Sequence, residues 1–165
     1  MKIELKNIKY FAPHSQETHC FEATVYIDGQ RAFGVNNDGW GGPNNYFPVD
    51  KKSKQNEIYK KVQAINAELE KEEIPIGDGN DRTVKKCMEI VVGNLMNKHL
   101  AVKEAKKMLK KISYADTKGN LYSLPAKYKP SDELFKAVKK AKWWKKSFVL
   151  LNTLSAEEIA EKYLS

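Results

Sequence analysis

Apolar residues alternate with polar ones over the first part of the chain. Ile3, Leu5 and Ile8 are interleaved with charged positions, the rhythm of a half-buried strand. Ala12-Pro13-His14-Ser15 interrupts it. Phe21, Ala23, Val25 and Ile27 then point one way, and Glu22, Thr24 and Tyr26 the other. Asp28-Gly29 follows, a two-residue hairpin signal because both residues tolerate positive φ. Phe33 and Val35 continue the pattern on the return strand. The first 37 residues therefore predict an antiparallel meander with one buried face.

From Ser53 the rhythm changes. Ser53 is placed to cap a helix on which Ile58, Val62, Ile65 and Leu69 recur every three to four residues. Glu72 to Gly79 reads as a connector, with Pro75, Gly77 and Gly79. Asn80 or Asp81 would cap a second helix carrying Val84, Cys87, Val91, Leu95 and Met96. A third helix follows, with Val102, Ala105, Leu109 and Ile112 on its apolar face.

Ile112–Ala115 and Leu121–Leu124, joined by Thr117-Lys118-Gly119-Asn120, predict a second hairpin. Ser131 opens a lysine-rich helix reaching to about Lys142. Phe148–Leu151 reads as a short apolar strand. Ser155 with Glu158 forms a capping box for a last helix ending near Tyr163.

The expected class is α+β: an N-terminal antiparallel β-meander, central helices, and a second β-hairpin with a C-terminal strand and helices. The 165 residues fit a single domain, with sub-units over 1–50, 53–111 and 112–165. A hydrophobic fraction of 41% supplies a core. No apolar run approaches a membrane span, and the opening Met-Lys-Ile-Glu-Leu-Lys does not resemble a signal peptide. The expected address is the cytoplasm, with no membrane partner. Cys20 and Cys87 are too few for a disulfide framework and read as buried free thiols.

Charge divides the chain. Met1–Asn80 carries 10 Lys/Arg and 12 Asp/Glu, whereas Asp81–Ser165 carries 19 and 9. Between Lys98 and Lys146, 15 lysines face four acids. Such a block is an electrostatic footprint for an anionic partner. Only Arg31 and Arg82 are arginine, the residue preferred for bidentate phosphate and base recognition. The lysine excess is therefore either a binding surface that uses point charges or a solvated surface drawn from an AT-rich genome.

Two regions carry candidate binding chemistry, the basic block between Lys103 and Lys146 and an N-terminal loop. Lys103, Lys106, Lys107, Lys110 and Lys111 cover the polar side of the third helix. Lys139, Lys140, Lys142, Lys145 and Lys146 surround Trp143 and Trp144. Cations interleaved with aromatics suit single-stranded nucleic acid or a nucleotide, by charge and stacking. Alternatively, one tryptophan is core and the other lies under lysine stems.

The second segment runs from Asn36 to Tyr46. Its glycines permit sharp turns, while Asn37, Asp38, Trp40, Asn44, Asn45 and Tyr46 offer amides, a carboxylate and flat rings. It is either a recognition loop or a hairpin exit whose Trp40 plugs the sheet end. It lacks the phosphate-loop and dinucleotide spacings.

His14, His19 and His99 are scattered without ligand spacing, so no metal or cofactor is expected. His19 and Cys20 would point to opposite faces of one strand, and no nucleophile elbow is present. No motif supports an enzyme, which stands as a third reading behind two binding ones.

Lys6-Asn7-Ile8-Lys9, Ser15-Gln16-Glu17-Thr18, the strand into Asp28-Gly29 and Asn37-Asp38-Gly39-Trp40-Gly41-Gly42 resemble the opening of small uncharacterised proteins of phages and other mobile elements. Phe148-Val149-Leu150-Leu151-Asn152 resembles their closing strand. That family has no established activity and transfers no site. The resemblance implies an accessory role, including inhibition of host defence by binding. The sequence thus predicts a non-enzymatic binder of a phosphate-rich ligand, nucleic acid or nucleotide. The alternative is a protein inhibitor of a host defence or nucleic-acid-processing complex.

Overall fold

Four strands follow the predicted meander: β1 (Ile3–Tyr10), β2 (Phe21–Ile27), β3 (Gln30–Asn37) and β4 (Asn45–Phe47), antiparallel and adjacent in chain order. They belong to a computed structural model that describes residues 1–50, 52–75 and 82–164. The fold is α+β. It divides into two compact units, Met1–Met96 and Asn97–Ser165.

In the first unit, the odd spacing from Leu5 to Ile8 would send Ile8 to the wrong face of a regular strand. A register shift between Lys6 and Lys9 corrects this, and Asn7 takes φ of 55° there. Asparagine tolerates the left-handed region, and an extra residue resets which face follows. Ile3, Leu5, Ile8 and Tyr10 all pack on the same core. Asp28 and Gly29 turn with φ of 48° and 82°, as the hairpin signal requires. Helix α1 (Gln55–Leu69) lays Ile58, Val62, Ile65 and Leu69 into the core with Phe21, Val25, Phe33 and Val35.

Several boundaries differ from expectation. Ser53 does not cap α1. Its N–H and hydroxyl go to the Asp50 carboxylate, and Glu57 accepts the Lys54 N–H at 3.1 Å instead. The connector from Glu72 holds a short ladder, β5 (Glu73–Pro75) against β6 (Thr83–Lys85), with Ile74 opposite Val84. Gly77, Gly79 and the expected caps Asn80 and Asp81 lie outside the described residues. Val84 is therefore a strand residue, and Cys87 precedes the helix.

The two expected central helices form one, α2 (Met88–Met108), since no proline interrupts the segment. Its core face in the first unit is Met88, Val92 and Met96, at i, i+4 and i+8, with Val91 at the margin. In the second unit Val102 and Ala105 remain apolar-facing, but Leu109 and Ile112 lie past the helix end.

The second unit is built on a three-stranded sheet ordered β8-β7-β9: β7 (Ser113–Ala115), β8 (Leu121–Ser123) and β9 (Val149–Leu150). One core gathers Ala105, Ala115, Leu151, Ala156 and Ile159. Another gathers Ile112, Val138 and Leu150 with Leu134 and Phe135 of α3 (Asp132–Lys140). Ser131 caps α3 by accepting the Leu134 N–H at 3.2 Å. The Ser155–Glu158 capping box starts α4 (Ala156–Ile159), which continues as a π turn to Leu164.

Asn152 ties the ends of these elements together. Its side chain donates to the Lys111 carbonyl at 2.8 Å and accepts the Ser113 N–H at 2.8 Å. No described helix is long and apolar enough to cross a membrane.

Candidate functional site

Strand alternation places one aromatic ring at the centre of the second unit's sheet. Ser113 and Ala115 are fully buried on one face, so Tyr114 between them stands on the other. Tyr122 lies directly opposite on β8, and the two rings stack at 5.2 Å and 19°. Phe148, at the entry to β9, stacks on Tyr114 at 5.5 Å and 22°.

After α3 the chain turns twice, through Trp144 N–H to Ala141 O at 2.9 Å and Phe148 N–H to Lys145 O at 3.0 Å. These turns bring Trp143 and Trp144 to 5.4 and 5.6 Å from the Tyr114 ring. Trp144 is half-buried against Ile112, Val138 and Leu150. Trp143 and Tyr122 are each 45% exposed. One tryptophan thus joins the core margin, while the other stays open.

Lysines accompany this surface in sequence. Lys139 and Lys140 occupy the last turn of α3, where a cation favours the helix C-terminus. Lys142, Lys145 and Lys146 are exposed around the two tryptophans, and Lys145 Nζ lies 6.0 Å from the Phe148 centroid. Lys103, Lys106 and Lys107 are exposed on α2, with Lys110 and Lys111 just beyond its end. Lys107 forms an ion pair with Glu104 at 2.8 Å. Burial, then Lys103 and Lys106, push the His99 imidazole below its ordinary value.

At the hairpin tip, the Asp116 carboxylate accepts from Lys118 N–H, Asn120 N–H, Asn120 Nδ2 and Tyr122 O–H, at 2.8 to 3.3 Å. The Asn120 side chain leads in holding that carboxyl below the usual range. Asp116 in turn raises the Tyr122 hydroxyl.

The Asn36–Tyr46 segment is a different construction. Asn37 is buried and organises it: Oδ1 accepts from Thr18 Oγ1 at 2.7 Å and Gly39 N–H at 2.9 Å, and Nδ2 donates to Gly42 O and Asn44 Oδ1. The Gly39 carbonyl accepts N–H groups from Gln16, Glu17 and Thr18. Gly39 has φ of 90°, and a Cβ there would fall on the His14 carbonyl oxygen. Asp38 accepts the Trp40 N–H at 3.1 Å.

Trp40 itself is 67% exposed, so it does not plug the sheet end. Tyr46, expected as a contact residue, is only 7% exposed and packs edge-on against Phe33. Among the described residues its buried hydroxyl meets no partner in hydrogen-bond geometry, and burial followed by Glu89 pushes its ionisation upward. Asn44 is half-buried, its N–H held by Glu89 at 3.0 Å, whereas Asn45 is exposed on β4. Asn37, Asn44 and Tyr46 therefore serve the structure of the loop and core, leaving Asp38, Trp40 and Asn45 exposed, with Trp40 the one ring among them.

Cys20 and Cys87 are free and half-buried. Among the described residues no group of three or more His, Cys, Asp or Glu is placed to hold a metal. Tyr114, Tyr122 and Phe148 were not singled out in the sequence. The signal was present: Tyr114 and Tyr122 each stand one residue in from the inner ends of the predicted strands Ile112–Ala115 and Leu121–Leu124, so the hairpin pairs them. No family model, curated protein or solved structure matches the chain.

Proposed function

We propose that the protein is a non-enzymatic binder of a phosphate-rich ligand, nucleic acid or nucleotide, and that Asn97–Ser165 is the binding unit. The observation that carries this is the coincidence of charge with architecture. Asn97–Ser165 holds 16 lysines against seven acids, while Met1–Met96 holds 13 cations against 14 acids. In the basic unit the open ring of Trp143 also lies among Lys142, Lys145 and Lys146 in sequence. Lysine supplies point charges that displace counterions from phosphates. It recognises charge without reading bases, so binding is sequence-tolerant.

Fluorescence anisotropy of a labelled oligonucleotide, titrated at about 50 and about 200 mM salt, tests this. Affinity falls on the order of 10³-fold between the two if about six phosphates are contacted. No binding to single- or double-stranded DNA or RNA at the lower salt overturns the proposal.

A second reading rests on Trp40. A rigid loop presents this ring to solvent, and Tyr10–Asp50 contains one cation, Arg31, against five acids. An exposed tryptophan in acidic surroundings suits a protein partner, where such rings are frequent anchors. A nucleic-acid-processing protein offers the matching basic surface. The resemblance to mobile-element proteins sets either reading in the inhibition of host defence.

A further inference from the structure

We infer that the second unit takes its nucleic acid as an unpaired strand, with bases stacking on Trp143 and Tyr122. This rests on the phosphate-binding reading above and adds the strand state. Lysines alone do not discriminate, because duplex and single strand both present phosphates. Ring faces do discriminate: bases inside a duplex are already stacked on each other, and only an unpaired base has a free face.

The geometry supplies both ring faces and their support. Tyr114 is held between Tyr122 and Phe148 by stacking, and both tryptophans lean on it. Trp144 anchors the pair in the core with Val138 and Leu150. Tyr122 is thereby held by one ring face and Trp143 by a tilted contact, and each stays open at 45% of its surface. Each centroid lies within 5.4 Å of Tyr114, so the two rings lie within about 11 Å of each other. Neighbouring nucleotides of an extended strand reach over that span. The Asp116 carboxylate fixes the Tyr122 hydroxyl at 3.3 Å and so sets the ring's edge. Lys142, Lys145 and Lys146 flank the tryptophans in sequence and supply charge for the backbone. Tyr114 is a positioning residue, and the two open rings are the contacts.

The test uses the full chain and two probes: a fluorescein-labelled oligothymidine strand, and that strand annealed to its oligoadenosine complement. The strand binds about tenfold or more tighter than the duplex, since each stacked base contributes roughly 1–3 kcal/mol. Trp143→Ala and Tyr122→Leu each weaken strand binding about 5- to 100-fold and leave duplex binding unchanged, while Trp143→Phe restores most of the loss. Circular dichroism melts confirm that the variants fold. Equal affinity for strand and duplex, with no effect of either substitution, overturns this inference and leaves the lysine reading standing. No binding of either probe overturns both.

Discussion

Trp40 and Trp143 are both open to solvent, but their surroundings are opposite. Trp40 sits on a loop closed by the Asn37 amide and the Gly39 carbonyl, in a stretch where acids outnumber cations. Trp143 leans on other rings, in a stretch where lysines outnumber acids. The first is positioned by backbone hydrogen bonds, the second by ring packing. Exposure of an aromatic therefore does not by itself name a ligand. On the proposed reading the sign of the charge nearby in sequence separates them: phosphate would be repelled by the first site and drawn to the second.

The largest expected effect separates the two supports. Asn37→Ala removes four hydrogen bonds from a buried amide and leaves the loop groups without partners. Urea denaturation should show a loss of about 3 kcal/mol, and oligonucleotide binding at low urea should be unchanged. Wild-type stability in this variant would break the account of the loop.

Next in size is Trp143→Ala. It should weaken oligonucleotide binding by roughly 1–3 kcal/mol with little change in melting temperature. Lost folding with retained affinity in the folded fraction would make Trp143 a core residue instead.

Asp116 gives a smaller, pH-dependent effect. Its folded carboxyl titrates below the ordinary range, chiefly through the Asn120 side chain. A depressed carboxyl stabilises the fold above its unfolded value and loses that contribution as pH falls through the lowered folded value. Asp116→Asn should therefore melt below wild type at neutral pH, and the gap should close in acid. A gap that widens on acidification contradicts the hairpin-tip geometry.

Trp40→Ala has the smallest stability effect. With the ring 67% exposed, melting temperature should change by the equivalent of no more than about 0.5 kcal/mol. A large loss would mean that the ring packs after all.

The meander, α1, the second hairpin and the last capping box were legible because each rests on a local rule: alternation, i, i+4 spacing, turn residues at positive φ, or a serine with glutamate three residues on. The expected stripe of α2, Val84, Cys87, Val91, Leu95 and Met96, includes the core residue Met96 but not Met88 or Val92, because Val91, Val92, Leu95 and Met96 offer two overlapping apolar stripes. Only packing chooses Met88, Val92 and Met96. The Trp143–Trp144 pair was visible as composition. Its partners Tyr114 and Phe148 were not, because they join it through pairing across β7 and β9. Tyr46 was misplaced as a contact residue because an aromatic beside Asn-Asn reads as loop, although it pairs with Val35 in the sheet.

The three tryptophans provide the most direct test. Each contributes one indole N–H resonance to a nitrogen–proton correlation spectrum of the full chain, and single substitutions assign them. Titration with an oligothymidine strand should shift and broaden the Trp143 resonance, move that of Trp144 less, and leave that of Trp40 in place. A spectrum in which Trp40 moves while Trp143 and Trp144 stay still would contradict the account and transfer binding to the first unit.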